Sequence, residues 1–527
     1  MSKLLNLSNF GKKGINTDLL PWDLPIDQVS YIKNIRISKD SLSPFGGYSS
    51  WFGAFPTGLE PVFLMFVGST SGTFWLIAGD NDVYVYDGSA LSQITNAAGF
   101  TVANPDLWSG CMLSEVAIIT IESEFPQYWP EQNIGTTLEY LPWDATRVWS
   151  DVSERCGIIR SHKQFLFALK LTSGANELTD SVRWSSPADV GNLPESWDPL
   201  DITNVAGIVK LGGSGGKIVD GLSLRDAFVV YREGGITVFD YVGGQFVWQV
   251  RHLSTDVGLT SPDCIVDVKG VHYFIGDGDI LTNDGNTITS LLHNRLRRRF
   301  ITNYDPEYYA NSYVVENNIQ SEIWFCIPES GNVYPNVAYV YNYKDGSWSL
   351  LDIPQCPSAS YGSRLSAILT WSNDLNSWSN STNIWSKSQT SPLENTIISI
   401  AKAGVDNASN ARLLLLDNSE DPSIFPYDTV VERLSFPLEG FHDVTTIQKI
   451  YPHISGSGSL KIQIGSQDHP GAPVRWKPEV TFTPLTDRKV DIRTTGELHC
   501  FRLFSDEEDG QWAFSGMDID YVTAGKR

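Results

Sequence analysis

Only a few stretches of this 527-residue chain place reactive residue types at spacings that chemistry requires. Gly212–Lys217 reads GGSGGK and suggests a phosphate loop. However, Leu211 stands where the first glycine belongs, and Ile218 where Ser or Thr would hold Mg²⁺. Gly212 to Gly216 also matches Gly-x-Ser-x-Gly, which would make Ser214 a nucleophile. That elbow needs a helix after it, and the residues beyond Gly216 read as strand, so a glycine turn is expected. Asp277, Asp279 and Asp284 cluster in IGDGDILTNDGN, and grouped carboxylates bind Ca²⁺. Their spacing lacks the closing bidentate glutamate, and two hairpin turns account for them. The histidines are isolated, with no HExxH pair. The six cysteines are scattered and read as buried free thiols. No metal or cofactor is expected.

Sugar hydrolysis is the sharper alternative, because propeller glycosidases pair carboxylates and stack sugar rings on tryptophan. Ser372–Trp378 (SNDLNSW) and Lys344–Trp348 (KDGSW) are similar to the Asp-box turns of sialidase-like propellers, each imperfectly. Such boxes are structural turns, so neither supplies a catalytic residue. The basic cluster HNRLRRRF contains Arg297, Arg298 and Arg299. It reads as one helical turn with Leu296 and Phe300 packed inward, and alternatively as a contact for phosphate or an acidic partner.

The elements that would carry these residues are strands. PVFLMFVGS, GTFWLIAGD, DVYVYDG and ALSQIT make a four-strand unit over Pro61–Thr95. Comparable units occur at Leu107–Leu141, with VAIITIES as its inner strand, then at Cys156–Thr203, Gly216–Ser254, Asp263–Phe300 and Tyr309–Pro354. A seventh over Thr396–Asp417 would close with help from an N-terminal hairpin at Tyr31–Tyr48. Repeats of this length and strand content predict an all-β chain containing a β-propeller of six or seven blades. Residues 1–55 are expected as an arm and hairpin, and 56–428 as the propeller. Within the latter, a Ser/Asn-rich loop at about 371–392 carries Trp371, Trp378 and Trp385 as anchors. From 429 to 527 seven short strands, RKVDIRTT among them, predict an antiparallel β-sandwich.

Lys and Arg number 38 against 61 Asp and Glu, for a net charge of −23. That balance argues against a DNA reader, yet suits a wall past which DNA slides. With no signal peptide and no membrane-length apolar run, the chain is expected to fold in a reducing cytoplasm.

Taken in blocks, the sequence resembles the tail nozzle (tail tubular, or tail hub) proteins of short-tailed bacteriophages. The blocks are Asn16–Tyr48, Val182–Pro199, Val219–Gly244, HNRLRRRF and Tyr339–Pro354. The C-terminal run from YPHI through IQIGSQDHPGAPVRW and DRKVDIRTTGELHCFRLFS to SGMDIDYVTAGKR completes them. The resemblance implies a structural protein of the virion tail, assembled in the host cytoplasm: a homohexamer below the tail adaptor. Such a ring forms the DNA exit channel, helps retain packaged DNA and seats tail fibres or tailspikes. It implies no catalytic residue, no membrane anchor and no enzyme. The alternative reading is a propeller glycosidase or glycan-binding receptor-recognition protein.

Overall fold

Aromatic and β-branched runs broken by Asp-Gly and Asn turns leave little room for helix. Among the described residues the one α-helix is Arg297–Asn303. The structure, a computed structural model, describes residues 2–526 apart from 39–40, 54, 70–71, 100–107, 245–246, 330, 365–394, 419–426 and 506–510. Trp371, Trp378, Trp385 and the acidic run 506–509 therefore lie outside the described residues. No described helix is long and apolar enough to cross a membrane.

Among the described residues seven sheets each hold a run of four antiparallel strands, consecutive in sequence in six of them, and the sixth sheet also carries two short parallel strands from the N-terminal segment. Their first strands are Phe63–Ser69, Ser109–Leu113, Glu154–His162, Ile218–Leu224, Ile265–Val268, Tyr313–Asn317 and Ser358–Ser363. Each of these touches the next, and the seventh touches the first, so the sheets form a closed β-propeller. In the second sheet the innermost strand is Ser109–Leu113. The apolar run VAIITIES, expected there, supplies the next strand out, Val116–Thr120. The hydrophobic run misled because both strands are covered by neighbouring sheets. The seventh sheet takes its outer strand from Tyr48–Phe52, which pairs with Arg412–Leu416. An N-terminal strand thus completes the last sheet and closes the ring, and is itself the short outer edge of that sheet.

Residues 429–526 contribute to two further sheets, each enlarged by the N-terminal segment. Ile447 and Ile519 of one share an apolar cluster with Ile462 and Leu503 of the other. The alternation in RKVDIRTT does not yield a strand. Only Thr494–Gly496 pairs in a ladder, and Val490 makes a lone bridge to Ile450.

Residues 1–30, expected as an extended arm, hold three short strands, Lys3–Leu7, Gly14–Ile15 and Gln28–Val29, that tie the arm to the rest of the chain. Lys3–Leu7 pairs with Trp512–Lys526, and Gly14–Ile15 runs beside the sixth propeller sheet through Gly14 and Trp348. Tyr31–Lys33 joins Thr429–Phe436. The hairpin Ile35–Ser38 and Ser41–Pro44 meets the C-terminal strand at Leu42 and Phe514. Gly14 has φ +80°, and a Cβ there would lie 1.9 Å from the Trp348 carbonyl oxygen, so only glycine fits. Phe10 is buried edge-on against Phe501 and Phe514. Arg433, buried without a carboxylate, donates to the carbonyls of Pro21 and Leu24 and clamps the segment from the other side. Burial pulls its pKa down to about 10.

At the seam between the sixth and seventh sheets, Arg36 binds Glu322 through Nε and Nη2 at 2.6 and 3.0 Å. Its Nη2 also reaches Asp417 at 2.5 Å, and the guanidinium lies over the Phe45 ring. Burial disfavours the Arg36 charge, but Asp417 and Glu322 more than offset this and hold its pKa above the usual arginine range. Removing one partner of such a buried set leaves an uncompensated charge, at a cost of about 3–5 kcal/mol. Glu322→Ala should therefore lower the unfolding free energy by about 3 kcal/mol or more, read by urea titration. A loss below about 1 kcal/mol would show that the pair behaves as an exposed one.

Candidate functional site

The sequence-level motifs resolve into turns. The carbonyls of Gly212 and Gly216 accept from Arg232 Nη1 and Nε at 2.7 and 3.0 Å, so the GGSGGK loop presents oxygens inward. A phosphate cradle needs amide N–H groups there. Ser214 is exposed and precedes the strand Ile218–Leu224, not a helix. Asp284 accepts the amides of Asn286 and Thr287 in a hairpin turn, and Asp279 accepts from the Ile280 amide and the Ser290 hydroxyl. In KDGSW, the Asn342 side chain accepts the Lys344 and Asp345 amides, and Trp348 is buried. No group of three or more His, Cys, Asp or Glu residues among those described is placed to hold a metal ion. Of the cysteines, Cys111 is partly exposed and the other five are buried; all six are free.

Arg297 and Arg298 sit exposed on the first turn of the helix, while Leu296 and Phe300 are fully buried beneath it. Asp18, from the N-terminal segment, accepts the Arg297 and Arg298 amides at 3.2 and 3.0 Å and caps the helix. Arg297 lies 3.8 Å from Asp279, and Arg299 3.7 Å from Glu329. Among the described residues, no ion pair engages Arg298.

Sequence reasoning passed over a constellation at the propeller axis. A cavity of about 40 Å³ is lined by residues of five sheets, among them Phe63, Trp108, Asp263, Tyr313 and Ser358. A second, of about 150 Å³, is lined by Glu122, Lys170, Lys217 and Glu233, and the two share Pro262. Because these residues lie at the starts of first strands or beside them, the two cavities together form one mouth of the ring.

Arg160 is the hub beneath this mouth. Its Nε and Nη2 bind the two oxygens of Asp220 at 2.9 and 2.8 Å, and Nη2 also binds Asp263 at 2.8 Å. Nη1 donates to Ser109 Oγ and the Gly110 carbonyl. Four adjacent sheets are joined by one guanidinium. Asp220 is buried, whereas Asp263 is nearly half exposed at the cavity. Burial raises the Asp263 carboxyl above its usual range; Arg160 pulls it down and Asp220 pushes it up. The bound oxygens of Asp220 and Asp263 lie no further apart than twice 2.8 Å. Chemically, the group can hold a polar ligand at Asp263, while Asp220 is committed to structure. The available signal was a charged residue interrupting each apolar run, in CGIIRSH and KIVDGLS.

His272, on the strand Val271–Gly276 of the fifth sheet, is fully buried. Its Nε2 donates to the Ser223 carbonyl at 2.9 Å, so Nδ1 accepts from the Tyr231 hydroxyl at 3.0 Å. The Asn283 amide donates in turn to that hydroxyl. This arrangement requires the neutral ring, and burial takes its pKa down to about 4.

No family model and no curated protein matches the chain. Solved structures similar to it include PorZ, a surface component of the type-IX secretion system of Porphyromonas gingivalis. Identity there is 10%, with a TM-score of 0.35 over 84% of this chain and 47% of that one. The chain thus spans about half the length of PorZ. An exo-β-1,3-galactanase from Phanerochaete chrysosporium shares 8% identity, with a TM-score of 0.30 over 81% of this chain and 98% of that one. A Bacteroides ovatus xyloglucan-locus GH43B protein shares 9%, with a TM-score of 0.25 over 90% and 100%. These are likenesses of fold at most. They correct one expectation: glycoside hydrolases stand among the similar structures, so the reading of the chain as a non-enzyme is withdrawn. None of the structures named is a tail nozzle protein.

The unfolded imidazole titrates near 6.5 and that of native His272 near 4. Between those values the unfolded chain binds a proton that the native chain does not, so stability falls as pH drops through this window. The loss is about 3 kcal/mol for one such group. His272→Gln should be less stable at pH 7 and lose correspondingly less between pH 6.5 and 4, by chemical denaturation at each pH. Parallel curves for the two proteins would refute the assignment.

Proposed function

We propose that the chain is a structural protein of a short-tailed phage tail: a nozzle subunit built from a seven-bladed propeller and a C-terminal β-sandwich. Six copies would stand below the tail adaptor around the DNA exit channel, helping to retain packaged DNA and seating fibres or spikes. One observation carries this reading. The sequence blocks that resemble nozzle proteins lie far apart in the chain, yet several meet in space at the joints of the N-terminal segment. Asp18 of the first block caps the helix of HNRLRRRF, and Asn34 binds Asp352 of the Tyr339–Pro354 block. Leu42 pairs with the C-terminal strand. Such a stitched body resists shear between its two modules, as a tube segment under load must. The net charge of −23 supports passage of DNA without adhesion. Reconstruction of virion tails containing this chain should place it on the sixfold axis below the adaptor. A position away from that axis would overturn the reading.

A second reading is favoured by the axial mouth. Asp263 is held on Arg160 beside a solvent-reaching cavity, which suits recognition of a neutral glycan; hydrolysis would need a second free carboxylate, because Asp220 is committed to Arg160. Incubation with host-surface polysaccharide should then give saturable binding, abolished in Asp263→Asn. An Asp263→Asn protein that behaves as the wild type would remove this reading.

A further inference from the structure

The loop at 185–206, between the third and fourth strands of the third propeller sheet, is firmly held yet presents large apolar side chains to solvent. Trp197 is fully buried, its ring 5.0 Å from that of Trp149. Asp198, Asp201 and Asn204 each accept an amide two residues ahead, at 2.9, 2.9 and 2.8 Å. On this frame Val190, Leu200 and Ile202 are 77%, 86% and 97% exposed. The loop also carries Asp189, Glu195, Asp198 and Asp201, and no Lys or Arg. It is an acidic, apolar knob.

Its complement lies on the same chain, two sheets further around the ring. The helix Arg297–Asn303 exposes Arg297 and Arg298 beside Ile301, which is 54% exposed. Ile301 lies four residues after Arg297 and three after Arg298, and so neighbours both on the helix surface. From His293 to Asn303 there are four arginines and no carboxylate, the reverse of the knob.

We infer that the chain binds a second copy of itself head to tail, the 198–202 knob of one copy seating on the Arg297–Ile301 face of the next. This inference rests on the proposed ring and names its contact. The two surfaces are different and complementary, so the interface is heterologous, and repetition closes a ring or continues as a filament. A chain carrying −23 meets its own copies against repulsion, and pairing its cationic helix with an acidic loop lowers that penalty.

Sedimentation velocity of the full chain tests it, with Ile202→Arg and Arg298→Glu, both at exposed positions. Wild type should form species larger than a dimer, and each variant alone should associate about tenfold or more weakly. An equimolar mixture of the two variants should stop at dimers, because it contains one intact knob and one intact helix face. Wild type that stays monomeric, variants that assemble like wild type, or a mixture that stays monomeric would each overturn the inference. Tails with the chain on the sixfold axis, built equally well by both variants, would overturn this contact and leave the nozzle reading standing.

Discussion

The architecture hangs on Arg36, an N-terminal guanidinium that is sealed inside the molecule between two propeller sheets. Its charge is satisfied by Glu322 of the sixth sheet and by Asp417 at the end of a seventh-sheet strand. A propeller is closed by whichever strand completes its last sheet, and here that strand, Tyr48–Phe52, comes only a dozen residues after Arg36. The Gly46 amide also donates to Asp417, so the same carboxylate fixes both the guanidinium and the approach to the closing strand. Closure of the ring and docking of the N-terminal segment are thereby one event. The Coulomb attraction across a dry seam is large, but so is the cost of bringing three charges there. The network specifies the register of the seam more than it adds stability.

That constraint also joins the two modules. The chain segment that closes the ring has already passed through both C-terminal sheets, through Lys3–Leu7, Tyr31–Lys33 and the 35–44 hairpin. Arg433 pins it from the C-terminal side, its own Phe10 packs on Phe501 and Phe514, and its Asp18 binds the helix. Strand ladders of the N-terminal segment thus join the propeller to the C-terminal sheets. The axis is treated differently. There Arg160 draws four sheets together but leaves Asp263 reaching solvent, so the propeller keeps one polar opening in an otherwise committed centre. Fold alone does not say which ligand enters that opening.

Much of the propeller is legible in the chain. GTFWLIAGD and AFVVYREGG carry the alternation and turn residues of strands, and their spacing marks the sheets. The helix at 297–303 is legible too, from Leu296 and Phe300 at i, i+4. The run RKVDIRTT misleads, since its alternation is met by a lone bridge at Val490 and a ladder that begins only at Thr494. The segment before Tyr31 reads as extended because its strands are two to five residues long. Apart from the short pairing of Gly14–Ile15 with Gln28–Val29, they are held by partners three hundred or more residues away, which no local pattern reports. The axial cluster escapes for a related reason. Arg160, Asp220 and Asp263 are far apart in sequence, and each alone reads as a stray charge in an apolar run.

By itself the sequence determined the class of the protein. Its strand-forming side chains, glycine and aspartate turns and acidic surplus act locally or in sum, and they permit a repeated β architecture and little else. Tertiary structure decided which strand closes the ring, which charges are buried together and which loop stands out into solvent. Those outcomes depend on long-range ladders and desolvated ion pairs, whose energies exist only once distant segments have been brought into contact.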